Sequence, residues 1–104
     1  MAVGQAGANW QVYIILCSDD TLYTGITTDV QRRFNQHAVG NGAKFFRGRR
    51  PLRVVYQESG HTRSSASRRE LAIKALTRAE KLTMIKIDQH SPTGRRVQTL
   101  TSST

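Results

Sequence analysis

The sequence predicts one small domain of the α/β class and α+β type, with a mainly antiparallel three-stranded sheet flanked by helices. A chain of 104 residues has room for a single core. Two short apolar segments near the N-terminus are separated by a turn cluster, which is typical of a β-hairpin. Helix-start signals follow both the hairpin and a later third strand, so strands and helices share the domain.

The hairpin is predicted from its apolar pattern and its turn. Gln11–Cys17 is a nearly continuous apolar run rich in β-branched residues, which favours a strand. Ser18, Asp19 and Asp20 are turn-forming residues, and Thr21–Thr27 follows as the return strand.

The length of the turn determines which side chains share a face of the sheet. Side chains alternate between faces along a strand, so a turn of three residues places Tyr13 and Tyr23 on the same face. It also places Tyr13 opposite Gly25. Because Gly25 has no side chain, we expect space beside the Tyr13 hydroxyl for a substrate or a water molecule.

The first helix is predicted from an N-cap at 27–29 to about Val39, with Gly40 as its stop. Its apolar stripe consists of Val30, Phe34 and Ala38. Arg33 and His37 are four residues apart, so they lie together on one side of this helix.

The second half of the chain is predicted to contain one strand and two helices. Residues 40–51 form a basic connector, and 52–58 form the third strand. Ser67 to Glu70 matches a capping box, which begins a helix that ends near residue 76. A second match at 77–80 begins the last helix, which ends near residue 87.

The predicted domain covers residues 10–88. The small residues of 1–9 are interpreted as a flexible leader, and the polar residues 89–104 as a flexible tail. Cys17 is the single cysteine, which excludes a disulfide framework and favours an ordinary packed thiol. The sequence contains no signal-peptide pattern and no apolar stretch long enough to span a membrane, so we expect a cytoplasmic protein.

Positive charge is abundant and unevenly distributed. The formal net charge is +9 and the sequence pI is about 10.9. No acidic residue occurs from Val30 to Gln57, and this stretch carries Arg32, Arg33, Lys44, Arg47, Arg49, Arg50 and Arg53. Such segregation favours a polyanionic partner. Without an amphipathic anchor or a lipidation signal, nucleic acid is preferred over a membrane surface.

The order of polar residues resembles the GIY-YIG nuclease domain over about residues 10–88. The resemblance consists of Tyr13, the Tyr23-Thr24-Gly25 motif, Arg33, His37 and Glu70. The first motif is Gln11-Val12-Tyr13 instead of Gly-Ile-Tyr, but its tyrosine is kept. The glycine-containing loop at 40–44 is similar to that of the small stand-alone bacterial members, the YhbQ-like group.

This resemblance implies a divalent-metal-dependent endonuclease. It places Tyr13 at the attacking water, Arg33 at the phosphate, and Glu70 as the ligand of one Mg²⁺ or Mn²⁺ ion. Tyr23 would orient water or metal, and His37 would assist proton transfer or phosphate binding. The pKa of a free tyrosine is about 10, so Tyr13 needs nearby positive charge to act as a base near neutral pH.

The nucleic-acid contacts are predicted from the basic connector, from the start of the third strand and from one lysine near Glu70. They are Lys44, Arg47, Arg49, Arg50, Arg53 and Lys74. Family members with defined targets carry additional DNA-binding domains, so we expect low sequence specificity, with DNA favoured over RNA.

Other interpretations of these residues stay open at this point. Tyr13 and Tyr23 are also ordinary strand aromatics, Arg33 and His37 also suit a solvated helix face, and Glu70 also suits a capping partner of Ser67. The chain is then a binding module that keeps the nuclease fold but cleaves little, or a structural partner of a ribonucleoprotein. A carboxylate within a positive cleft favours the enzyme over both.

Overall fold

The computed structural model describes residues 8–40 and 43–90, with side chains as far as Asp88. It shows a three-stranded antiparallel sheet and three α-helices, which confirms the predicted fold class. The strands are β1 (Trp10–Cys17), β2 (Leu22–Thr27) and β3 (Pro51–His61), in the order β2-β1-β3. The helices are α1 (Val30–Ala38), α2 (Arg63–Lys74) and α3 (Arg78–His90).

Strand β1 forms the centre of the core because it is the middle strand and helices cover both faces of the sheet. Val12, Tyr13, Ile14 and Ile15 are all fully buried, although alternate residues point to opposite faces. A strand buried on both sides has no polar face. This explains the continuous apolar run of β1.

One sheet face, which we call the α2 face, carries Val12, Ile14 and Tyr56. It is covered by α2 and α3 through Ala66, Ile73 and Ile85. Helix α2 packs mainly along β2 and β1, and α3 packs along β3.

The opposite face, which we call the α1 face, carries Tyr13, Ile15 and Cys17. It is covered by Val30 of α1 and by Phe46 of a short 3-10 helix, Lys44–Phe46, in the connector between α1 and β3. The three-residue turn confirms the predicted register, because Tyr13 pairs with Gly25 and Ile15 with Tyr23. Asp20 closes this turn with φ of 69°, a left-handed conformation typical of the last residue of such loops.

The predicted starts of α1 and α3 are confirmed. Asp29 caps α1 by accepting a hydrogen bond from the Arg32 N–H at 3.1 Å. Thr77 and Glu80 exchange bonds of 2.8 and 3.1 Å at the start of α3.

The predicted start of α2 is wrong by five residues, since the predicted N-cap was Ser67. Thr62 is the N-cap, and Ser65 completes the reciprocal capping bonds. Serine at the third helical position replaces the Glu or Gln of the standard box, so the sequence pattern at Ser67 was the more conspicuous one. Glu70 therefore lies inside the helix, and its interpretation as a capping partner of Ser67 is also wrong.

One boundary and one apolar position also differ from expectation. Strand β3 continues to His61, three residues beyond its predicted end, because its last residues pair with Trp10 of β1. Ala38 is exposed instead of contributing to the apolar stripe of α1, where His37 takes the buried position.

The domain limits stay predictions. Strand β1 begins at Trp10 and α3 reaches His90, whereas residues 1–7 and 91–104 of the predicted leader and tail lie outside the described residues, as do positions 41–42 of the connector loop. No helix in the described part of the chain is both long and apolar enough to cross a bilayer.

Candidate active site

An aromatic cluster on the α1 face brings together three of the predicted catalytic residues. The ring centroids of Tyr13 and Tyr23 are 6.2 Å apart, and those of Tyr23 and His37 are 5.3 Å apart. Phe46 stacks against His37 at 4.3 Å and meets the edge of Tyr23 at 4.9 Å. Residues from β1, β2, α1 and the connector therefore form one cluster.

The ring of Tyr13 lies directly over the backbone of Gly25. A Cβ atom at this position would lie 2.6 Å from the Tyr13 hydroxyl oxygen and 2.7 Å from Cζ, which is too close for any side chain. We expected the space over Gly25 to be open to substrate or water. That expectation is wrong, because the ring of Tyr13 occupies it.

His37 is almost completely buried, with 2% of its surface exposed. Its Nε2 lies 3.1 Å from the Tyr13 hydroxyl, and its Nδ1 accepts a hydrogen bond from the Ala43 N–H at 3.3 Å. Burial, reinforced by the charge of Arg33, lowers the pKa of His37 to about 4. The imidazole is therefore neutral at pH 7.

Burial and the neighbouring Tyr23 raise the pKa of Tyr13, while Arg33 acts in the opposite direction. Tyr13 is therefore a neutral phenol in this state of the protein. Any use of its oxygen as a base requires the proton to be lost first, and positive charge at this face favours that loss.

Arg33 is the cation of this cluster. Its guanidinium influences the pKa of both Tyr13 and His37, and one of its N–H groups donates to Gln36 Oε1 at 2.9 Å. A guanidinium has five N–H donors in a planar fork, which fits the oxygens of a phosphate.

Glu70 lies on α2, which covers the face of the sheet opposite to Tyr13. Ala66 and Ile73 define the buried line of α2, and Arg69 projects from one flank of that line to contact Glu58 of β3. Helical spacing places Glu70 on the opposite flank, toward the edge strand β2. In the described ranges, Glu70 forms an ion pair with Lys74 at 3.1 Å and no hydrogen bond to Tyr13, Tyr23, Arg33 or His37.

The donor set around Glu70 suits a hard cation held by few protein ligands. Among the described residues, no three His, Cys, Asp or Glu side chains form a ready cage. Mg²⁺ commonly takes one or two carboxylates and completes its shell with water and phosphate oxygens. The partner of Glu70 is a half-exposed lysine, and such pairs are weak enough to exchange. A single-carboxylate site therefore fits Glu70.

The predicted nucleic-acid residues fall into two groups. The accessible cations have exposed side chains, and the occupied cations are already held in an ion pair with an acidic residue. Lys44 and Arg47 are exposed and, with Gly40, Ala43 and Phe46, line a cavity of about 210 Å³ next to the aromatic cluster. Arg50 and Arg53 are also exposed.

Arg49 and Lys74 are the occupied cations. Arg49 binds Asp19 at 2.8 Å and lies over the Phe45 ring at 4.1 Å, and Lys74 is paired with Glu70. These contacts leave both side chains less available to phosphate than the four exposed ones.

The comparison with known protein families agrees with this geometry. The sequence model described as the GIY-YIG catalytic domain matches residues 9–83. The chain belongs to the GIY-YIG family. The members of this family are nucleases that generally depend on a divalent metal. The match confirms the resemblance found in the sequence.

Similar GIY-YIG relatives bear the name UPF0213. The chain is 48% identical to the UPF0213 protein of Desulfotalea psychrophila over 81 residues, which cover 77% of this chain and 74% of the relative. It is 56% identical to that of Halobacterium salinarum over 70 residues, or 67% and 91% of the two chains. The solution NMR structure of a UPF0213 protein from Bacillus halodurans has a TM-score of 0.50 and 38% identity, over 89% of this chain and 98% of that one.

Sequence reasoning missed three contributors to the candidate GIY-YIG site. Gln36 contacts Arg33 and is three residues away on the same helix, so its spacing was a usable signal. Phe46 was visible only as one of two adjacent aromatics. Ala43 contributes a backbone N–H, for which the sequence carries no signal.

Proposed function

We propose that this chain is a divalent-metal-dependent endonuclease that hydrolyses phosphodiester bonds in nucleic acid, with DNA favoured over RNA and with low sequence specificity. The supporting observation is the Tyr13–His37 contact beside Arg33, on a face where the described residues offer these groups no carboxylate partner. In a family of nucleases, that arrangement suits an incoming anion.

Arg33 and Tyr13 would carry the chemistry at the phosphate. Arg33 offers charge and paired N–H donors, which stabilise the extra negative charge of the transition state. Tyr13 would act as the general base toward the attacking water, and Tyr23 would help to orient that water. The charge of Arg33 already favours the deprotonated form of Tyr13.

Glu70 would hold the metal ion, one Mg²⁺ or Mn²⁺. When bound, such an ion neutralises charge on the phosphate and makes an attacking water more acidic. Glu70 lies on the flank of α2 opposite to Arg69, and α2 packs on β2, the strand that carries Tyr23 and Gly25, which supports this role.

The exposed cations of the connector and β3 would bind the nucleic-acid backbone. Lys44, Arg47, Arg50 and Arg53 lie in the acid-free stretch, and Lys44 and Arg47 adjoin Phe46 of the aromatic cluster. Contacts to phosphates carry no base information, which supports low sequence specificity.

A second candidate is a nucleic-acid-binding module with little or no cleavage. Two observations favour it: Tyr13 and His37 are buried, and Glu70 is paired with Lys74. Binding alone requires the basic surface and makes no demand on Glu70 or on the Tyr13 hydroxyl.

The deciding experiment measures cleavage of duplex, single-stranded and branched DNA, and of matched RNA, with Mg²⁺, with Mn²⁺ and with EDTA. The Glu70→Gln variant keeps the shape of the side chain but removes the anionic ligand, and Asp88→Asn removes one exposed negative charge as a matched control. We expect metal-dependent cleavage that Glu70→Gln abolishes and Asp88→Asn keeps. Binding without cleavage by the unmodified protein would establish the second candidate instead.

A further inference from the structure

His37 is held between a backbone donor and the hydroxyl of Tyr13. The Ala43 N–H points at Nδ1 at 3.3 Å, and Nε2 faces the Tyr13 oxygen at 3.1 Å. Phe46 stacks on the imidazole from the same connector, at 4.3 Å between ring centroids. The connector therefore fixes both the position and the hydrogen-bonding direction of this ring.

The backbone donor determines which ring nitrogen carries the proton. An N–H group needs an acceptor, so Nδ1 of His37 must be unprotonated where Ala43 donates to it. A neutral imidazole then carries its single proton on Nε2. That proton points at Tyr13, so His37 donates to the tyrosine oxygen and does not accept from it.

We propose that the connector locks His37 as a hydrogen-bond donor to Tyr13, so that this histidine stabilises the tyrosine oxygen and does not receive its proton. This assignment rests on the proposed function for its role in cleavage and deepens that function, because it replaces the proton-transfer role expected for His37 from the sequence.

The direction of the bond determines the path of the Tyr13 proton. With Nε2 already protonated, the Tyr13 proton passes to solvent water and not to His37, and the partly exposed Tyr23 lies beside the Tyr13 ring. The phenolate oxygen then takes one proton from the attacking water as the new O–P bond forms. The O–P bond to the leaving oxygen breaks with its electron pair, and solvent protonates that oxygen.

The protonation state can be tested directly, without any cleavage assay. In the full-length protein labelled with ¹⁵N, two-bond ¹H–¹⁵N correlations at pH 7 distinguish protonated from unprotonated ring nitrogens. We expect His37 to show a protonated Nε2 and an unprotonated Nδ1. A protonated Nδ1, an imidazolium or an equal mixture of tautomers would overturn the proposal.

Two variants of Ala43 test the role of the connector. Ala43 has φ of −67°, which proline adopts without strain, so Ala43→Pro removes the N–H with little change of the backbone at that residue. Ala43→Ser keeps the N–H as a matched control. We expect mixed tautomers of His37 in the proline variant and the single Nε2–H form in the serine variant. A single Nε2–H form in both would show that Ala43 does not set the tautomer.

Cleavage kinetics test what His37 does for Tyr13. Glutamine at position 37 can donate through its amide but cannot take up a proton at neutral pH, whereas leucine can do neither. We expect His37→Gln to retain at least about ten times the rate of His37→Leu, the value of one hydrogen bond of about 1.4 kcal/mol. Equal rates for the two would contradict the donor role.

The cleavage assay and the ring-nitrogen measurement test the proposed function and the state of His37 separately. An unmodified protein that cleaves nothing would defeat the proposed function, while the ring-nitrogen measurement would still decide the state of His37.

Discussion

The two faces of the sheet combine similar side chains in different ways. On the α2 face, Glu58 accepts hydrogen bonds from Tyr56 at 2.6 Å, from His61 at 2.7 Å and from Arg69 at 3.0 and 3.2 Å. Burial and Glu58 raise the pKa of Tyr56 to about 12. Burial opposes ionisation of Glu58, but the three donors outweigh it and lower its pKa. The carboxylate of Glu58 therefore has its hydrogen-bond donors and its cation within this network.

On the α1 face, the described Tyr13, His37 and Arg33 have no carboxylate as a hydrogen-bond partner. In the described part of the chain, Tyr13 contacts His37, Arg33 contacts Gln36, and no Asp or Glu is bonded to any of the four. The donors of the α2 face therefore converge on one acidic residue, whereas these groups of the α1 face bond to one another or to a neutral amide.

The largest expected difference between the faces is in cleavage. Removal of the Tyr13 hydroxyl in Tyr13→Phe should lower the cleavage rate by about 10²–10⁴ with binding retained, the range for loss of a general base. The same deletion on the other face, Tyr56→Phe, should leave the rate within a few-fold. Single-turnover rates at saturating protein measure both, and similar losses would mean that the faces do not divide as described.

Removing the acid from the α2 face should cost stability. Glu58→Gln takes away the charge that binds Arg69 and His61, and we expect a loss of about 2–3 kcal/mol in the free energy of unfolding. The matched change Glu70→Gln breaks an ion pair with a half-exposed lysine and should cost less than about 1 kcal/mol. Urea unfolding of both variants tests this, and equal costs would contradict it.

A side chain added at Gly25, where the ring of Tyr13 lies, should disturb the packing of the α1 face. The Cβ of Gly25→Ala would overlap the tyrosine hydroxyl, so we expect a loss of about 1–2 kcal/mol in stability together with reduced cleavage. In a Tyr13→Leu background the same glycine change should cost less, because the shorter side chain does not reach Gly25. An unchanged cost in that background would place the strain elsewhere.

The neutral state of His37 predicts a dependence of stability on pH. Its pKa is about 4 in the folded protein and 6.5 without these surroundings, so the unfolded chain binds the extra proton first as the pH falls. Stability should therefore decrease between pH 6.5 and 5.5 by about 1 kcal/mol from this group. Thermal or urea unfolding should show a smaller decrease for His37→Gln, and an identical profile would mean that folding does not lower the pKa of His37.

The smallest expected effect concerns the basic connector. Replacing the exposed Arg47 and Arg50 by alanine should reduce the slope of log affinity against log salt by about one for each lost phosphate contact. Arg49→Ala should change the slope less, because Asp19 and Phe45 already occupy that side chain. Fluorescence anisotropy over a salt series measures these slopes, and a larger effect for Arg49 would reverse the division between accessible and occupied cations.

The sequence by itself determined the fold class, the hairpin and the pairing of Tyr13 with Gly25. These depend on local rules: side chains alternate along a strand, and three turn residues set the register. The helix N-caps at Asp29 and Thr77 could also be predicted from the sequence, because a cap is formed within four residues.

Only the tertiary structure decided how the candidate site is assembled. His37 is turned toward Tyr13 because the connector folds back over α1, and its acceptor nitrogen is chosen by a backbone N–H that any residue except proline supplies at position 43. Glu70 was recognisable as a carboxylate, but its place on the flank of α2 away from Arg69 follows from which side of the helix packs on the sheet. Contacts between residues far apart in the chain depend on the packing of whole elements, and no short stretch of sequence contains that information.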